Sequence, residues 1–103
     1  MDMKFLVITA VREFEKGIKL ILKKAEVKTF SYKEVTRYKD VSDEPMIGNW
    51  FASDMHENES MLFYAFVKKD KVNQVFEHVE QFNSKLETKS KIHVAVINIE
   101  KLN

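Results

Sequence analysis

The chain has 103 residues, 45% of them hydrophobic and 12% aromatic, with a formal net charge of +1 at neutral pH. That is one domain with enough apolar material for a modest core, which excludes wholesale disorder. There is no cysteine, so a disulfide framework, a thiolate metal site and a thiol nucleophile are excluded, and the near-zero charge gives no global drive toward nucleic acid. The opening run, MKFLVITAV at residues 3–11, is apolar and β-branched and predicts a buried strand. It has neither the form nor the cleavage site of a signal peptide, and no stretch approaches the roughly 20 apolar residues that span a bilayer, so a cytoplasmic protein is expected.

Over residues 12–25 the period changes. Phe14, Ile18, Ile21, Leu22 and Ala25 share one helical face, and Lys16, Lys19, Lys23 and Lys24 take the other. Gly17 weakens this helix slightly. Residues 27–38, VKTFSYKEVTRY, predict a second strand, with a bulge near Lys33–Glu34 where the alternation slips.

An acidic break follows. Asp40, Asp43, Glu44, Asp54, Glu57 and Glu59 fall within 40–59, a span without Lys or Arg in an otherwise basic chain. With Pro45 and Gly48 inside it, this reads as a long loop, and long loops in small domains are more often functional than structural. Residues 49–52, with Trp50 and Phe51, are short-strand material. Residues 60–67, SMLFYAFV, predict a third strand, and Asp70 stands as an N-cap before a second amphipathic helix carrying Val72, Val75, Phe76, Val79 and Phe82. A polar turn over 83–90 leads to a last strand, KIHVAVINI, at 91–99. The order β-α-β, long loop, β-α-β is the split βαβ, or ferredoxin-like, arrangement: a single α+β domain over 1–103, with a four-stranded antiparallel sheet and two helices on one face.

Such a sheet leaves one face open, yet the strands are apolar on both sides. Met61, Phe63, Ala65 and Val67 oppose Leu62, Tyr64 and Phe66; Phe5 and Val7 oppose Leu6, Ile8 and Ala10; Ile92, Val94 and Val96 oppose Ala95, Ile97 and Ile99. Each large side chain left in water forgoes roughly 1.5–3 kcal/mol. A homo-oligomer that packs its sheets together is expected.

Candidate chemistry is sparse. His56, Glu57 and Glu59 carry borderline and hard donors suited to a divalent metal such as zinc, against the plainer reading of a solvated acidic hairpin tip. Trp50, Phe51 and Asp54 are candidate partner contacts, because aromatics concentrate at binding hot spots; the aromatics would equally serve to cover the sheet edge. Lys89 and Lys91 before the last strand, with Arg37 and Lys39 at the loop base, are candidates for holding a small anionic effector, or else an ordinary lysine surface. His93 reads as a hydrogen-bonded sheet histidine and His78 as a surface residue. No Ser-His-Asp arrangement is convincing and no Gly-rich phosphate loop exists, so the expectation is a non-enzyme.

At the level of plan, nearly the whole chain resembles the P-II signalling family. MKFLVITAV resembles that family's opening strand, and Glu34-Val35 within SYKEVTRYKD resembles its T-E-V-K-G-F-G approach to a long loop. KKDKVNQVFEHV resembles its step into a Val-rich helix, and Lys91-Ile92-x-Val94 its G-K-I-F-V last strand. The resemblance implies a ferredoxin-like trimer, an effector bound between subunits, and a loop that touches transporters or enzymes. Lys91 is the one effector contact that carries over. The family's glycine-rich turn is here Glu87-Thr88-Lys89-Ser90, glycines at the loop base are replaced by Arg37 and Lys39, and the arginines after the last strand are lacking. Those departures predict weak ATP binding. Two other readings share the plan: a dimeric α+β barrel enzyme of the small monooxygenase type, and an oligomeric small-molecule-sensing module.

Overall fold

A computed structural model describes residues 2–38 and 57–103, apart from the side chains of 57 and 58. The chain runs β1 (Met3–Val11), a 3-10 turn (Arg12–Phe14), α1 (Glu15–Lys24), β2 (Ser31–Tyr38), β3 (Glu57–Lys68), α2 (Lys69–Ser84) and β4 (His93–Asn98). All strand pairs are antiparallel, in the order β2-β3-β1-β4. This is the ferredoxin-like fold expected from the sequence. Among the described residues no helix is long and apolar enough to cross a membrane.

Strand alternation decides which side chains meet the helices. Leu6, Ile8 and Ala10 of β1 and Met61, Phe63, Ala65 and Val67 of β3 are all buried, and they pack with Ile18, Ile21 and Leu22 of α1 and Val75 and Val79 of α2. Phe63 sits at the centre, fully buried, with the Tyr32 ring stacked on it at 5.1 Å and Phe30 tilted against it at 5.8 Å. The helices touch through Phe14 and Phe82, edge to face at 5.3 Å. Gly17 lies against that ring: a Cβ there would come within 2.6 Å of Phe82 Cε2. The residue that lowers helix propensity is the one that lets α1 approach α2.

Helix α1 ends in a Schellman turn. The Val27 N–H donates to the Leu22 carbonyl at 2.9 Å and the Glu26 N–H to Lys23 at 3.0 Å, while Glu26 takes the left-handed position with φ 60°. Its carboxylate meets Lys71 of α2 at 2.8 Å.

Four local expectations need correction. β2 and β3 pair without interruption from Ser31↔Tyr64 to Tyr38↔Glu57, so there is no bulge at Lys33–Glu34. β2 starts at Ser31, four residues later than expected. β3 starts at Glu57, so the last three residues assigned to the acidic loop are strand, paired with Thr36, Arg37 and Tyr38. Asp70 is not the N-cap of α2. That position is Lys68, without a side-chain cap, and the Lys69 N–H is met by the Asp2 carbonyl at 2.6 Å. Asp70 sits inside the first turn, where a carboxylate still favours the helix dipole. The short strand expected at 49–52 lies outside the described residues.

Candidate interface and effector site

The face of the sheet away from the helices is built from alternate residues of all four strands. The register aligns Phe5 with Phe66 and Ile97, Val7 with Tyr64 and Ala95, and Thr9 with Leu62 and His93. On the other edge Ser31, Lys33, Val35 and Arg37 of β2 align with Tyr64, Leu62, Ser60 and Asn58. The face has two halves. Around Phe5 it is aromatic, with Phe66 at 5.0 Å and Tyr64 at 5.9 Å between ring centroids. Phe66 is 52% exposed, Ile97 48% and Tyr64 39%, so this half puts large apolar groups into water. The half nearer the loop is polar, with Thr9, Ser60, His93 and Arg37.

In the polar half, Ser60 is fully buried. Burial lowers the Arg37 pKa from its ordinary value. The His93 pKa is also lowered, first by burial and then by the charge of Arg37. β2 and β4 are opposite edges of the sheet, so the influence of Arg37 at His93 is exerted across the open face.

The turn between α2 and β4 is tied from within. The Asn83 side chain donates to the Ile92 carbonyl and accepts from the Ile92 N–H, both at 2.8 Å. The Lys91 ammonium donates to the carbonyls of Asn83 at 3.2 Å and Leu86 at 3.0 Å. These are among the last carbonyls around the C-terminus of α2, where a cation is favoured. Lys91 therefore points into the turn. Lys89 is exposed, and Thr88 Oγ1 donates to the Ser90 carbonyl at 3.2 Å.

Of the predicted effector residues, Arg37, Lys89 and Lys91 are described and lie toward the loop end of the sheet; Lys39 lies outside the described residues. The predicted partner contacts Trp50, Phe51 and Asp54 also lie outside them, as does His56 of the predicted metal set. Glu57 is the first residue of β3. The Glu59 carboxylate is held by Arg12 Nη1 at 2.7 Å, while Arg12 Nε meets Glu34 at 2.9 Å. Those contacts raise the Arg12 pKa, the Glu59 hydrogen bond most of all. Among the described residues no three His, Cys, Asp or Glu side chains group as a metal site. His78 is half-buried on α2. Neither Arg12 nor Asn83 belongs to a sequence motif, and the partners of Arg12 lie on β2 and β3, distant in the chain.

Two surface cavities lie at the far end of the sheet from the loop. One, of about 620 Å³, is lined by Asp2, Met3, Lys68, Lys69, Asp70 and Asn73. The other, of about 390 Å³, includes Glu26, Lys28, Phe66 and Lys71. None of the predicted effector residues lines either.

No family model matches the chain. No curated protein matches it in sequence. Solved structures do match in fold. A DUF3240 family protein from Shewanella baltica OS155 is 12% identical, with a TM-score of 0.69, over 100% of this chain and 96% of that one. CPII, a nitrogen regulatory PII-like protein from Thiomonas intermedia K12 solved with ADP, AMP and bicarbonate, is 14% identical with a TM-score of 0.62, over 98% and 96%. The periplasmic divalent cation tolerance protein CutA from Archaeoglobus fulgidus is 14% identical with a TM-score of 0.64, over 98% and 87%. The chain has the ferredoxin-like fold that PII-like signalling proteins and CutA-type proteins share.

Proposed function

We propose that the protein is a PII-like regulator rather than an enzyme. In this reading it is a cytoplasmic homotrimer that packs its open sheet faces together. It responds to a small anionic effector or a divalent metal, and its acidic segment between β2 and β3 contacts a partner such as a membrane transporter. The observation that carries the reading is the open face, where Phe66, Ile97 and Tyr64 stand exposed on a sheet whose other side packs Leu6, Ile8, Met61, Phe63 and Val67 beneath the helices. A second copy of that face is the natural cover for it. The likeness to PII-like regulators supports a signalling role over catalysis, since the described residues bring together no nucleophile, base and orienting group.

The effector would lie toward the loop end, near Arg37 and Lys89. A nucleotide is the weaker candidate. Glu87-Thr88-Lys89-Ser90 offers side chains where a phosphate cradle needs bare backbone N–H groups, and the Lys91 ammonium is occupied by Asn83 and Leu86. Bicarbonate, one of the molecules bound to the Thiomonas protein, is small enough to be held by charge alone. The test is calorimetry of the assembled protein with bicarbonate, AMP, ADP and ATP at moderate salt. The reading expects saturable, salt-sensitive binding of a small anion that Arg37→Ala abolishes, with ATP weak. Tight ATP binding at one site per subunit, or no oligomer at all, would overturn it.

A further inference from the structure

We propose that Arg12 is a brace at the base of the acidic segment: one guanidinium, set across two carboxylates, keeps the last pairs of β2 and β3 closed and so holds Arg37 in position. That Arg37 serves an effector rests on the reading above; the brace itself does not.

The sheet narrows at this end. β1 pairs with β3 only as far as Val11↔Ser60. Beyond that point Glu59, Asn58 and Glu57 pair on one side alone, with Thr36, Arg37 and Tyr38 of β2. Those pairs form a two-stranded ribbon, and such a ribbon is marginal in water without a third element against it. Its Glu and Asn residues are poor strand formers. The ribbon also begins on a conflict of like charge. Met61 is buried beneath the helices, so Glu34, which stands opposite it, and Glu59, two residues before it, lie on the same side of the sheet. They are diagonal neighbours on adjacent strands, where two carboxylates repel.

Arg12 stands where the third strand stops. It follows Val11 directly and opens the 3-10 turn. Its Nε meets Glu34 at 2.9 Å and its Nη1 meets Glu59 at 2.7 Å. Among the described residues it is the only cation paired with either carboxylate. Either pair alone, between side chains more than half exposed, would contribute little. Together they turn a repulsion into a bridge from the end of β1 to both neighbouring strands. The planar guanidinium fork suits that double contact better than a lysine ammonium would. The ribbon carries Arg37, opposite Asn58, so opening it displaces that cation although Arg12 lies on another element.

The experiment is amide hydrogen exchange by NMR on the full chain at low salt. It compares wild type, Arg12→Gln, the double variant Glu34→Gln/Glu59→Gln, and the triple variant that combines all three changes. In Arg12→Gln, the amides protected in wild type over 36–38 and 57–59 should exchange about three- to tenfold faster, while those over 61–67 hold. The double variant removes the repulsion together with the brace, so it should stay within about twofold of wild type, and the triple variant should match it. High salt should open the wild-type ribbon toward the Arg12→Gln behaviour and leave the double variant unchanged. If Arg12→Gln does not fold, Arg12→Lys keeps the charge without the fork and should open the same amides to a smaller extent. Unchanged exchange over 36–38 and 57–59 in Arg12→Gln, an equal rise over 61–67, or the same rise on the neutralised background overturns the proposal. So does a lack of protection there in wild type. The readout needs neither the oligomer nor an effector, so its failure is distinct from theirs.

Discussion

The two faces of the sheet have almost the same apolar content and opposite fates. On one, Leu6, Ile8, Met61, Phe63 and Val67 vanish beneath two helices. On the other, one residue along each strand, Phe5, Tyr64, Phe66 and Ile97 form a cluster of comparable size with Phe66 and Ile97 about half in water. The first is a core that stabilises the chain alone. The second has the composition of a core and the exposure of a surface, and it is the face on which the proposed assembly would pack. Function, on this account, is built on the second face and on the polar patch at its loop end.

Truncating the same residue type on each face should separate the two roles. Phe63→Ala opens a cavity under both helices and should cost about 3–5 kcal/mol, lowering the urea midpoint equally at every protein concentration. If Phe63→Ala behaves like a surface change, the packing described for the helix-covered face is wrong. Phe66→Glu should do the opposite. It should leave the helix signal intact while reducing the sedimenting mass to the monomer, because a carboxylate cannot be packed unpaired inside an apolar contact. An assembled Phe66→Glu protein would show that the subunits meet elsewhere.

Smaller effects sharpen the picture of what holds the loop end in place. Asn83→Ala removes both side-chain bonds to the Ile92 backbone and should cost about 1–3 kcal/mol in urea unfolding. It should also weaken anion binding if the turn helps to form the effector site. Gly17→Ala tests the helix contact. Propensity alone favours alanine by about 1 kcal/mol, but the added methyl meets the Phe82 ring, and overpacking costs about 1–3 kcal/mol. A net loss of about 1 kcal/mol is expected; a gain would mean the ring moves aside freely.

The strand faces were legible because side chains alternate strictly and both sets in β1 and β3 are apolar, so either register sets an apolar row beneath the helices and leaves a second apolar row on the open face. β2 was harder. It is an edge strand, and its two faces, Tyr32-Glu34-Thr36-Tyr38 and Ser31-Lys33-Val35-Arg37, are both mixed. An uninterrupted ladder there looks like a slip in the pattern. Glu57 to Glu59 read as loop because they are acidic, yet they are strand because Thr36 to Tyr38 supply the partners, a long-range fact. Asp70 had the right chemistry for a cap, but the chain enters α2 two residues earlier and a carbonyl from Asp2 meets the first N–H. The candidate site was legible only in part. Arg37 was readable as a cation at the loop base. Its reach toward His93 comes from the sheet order, and the inward turn of Lys91 from the Asn83 and Leu86 carbonyls at the exit of α2.

The central claim is that the open face is an interface between copies of this chain. Sedimentation equilibrium at pH 7.5 tests it most directly. The account predicts a single species at three times the 12.2 kDa chain mass, falling to one chain on Phe66→Glu. A wild-type particle of 12.2 kDa across the accessible concentration range would contradict it.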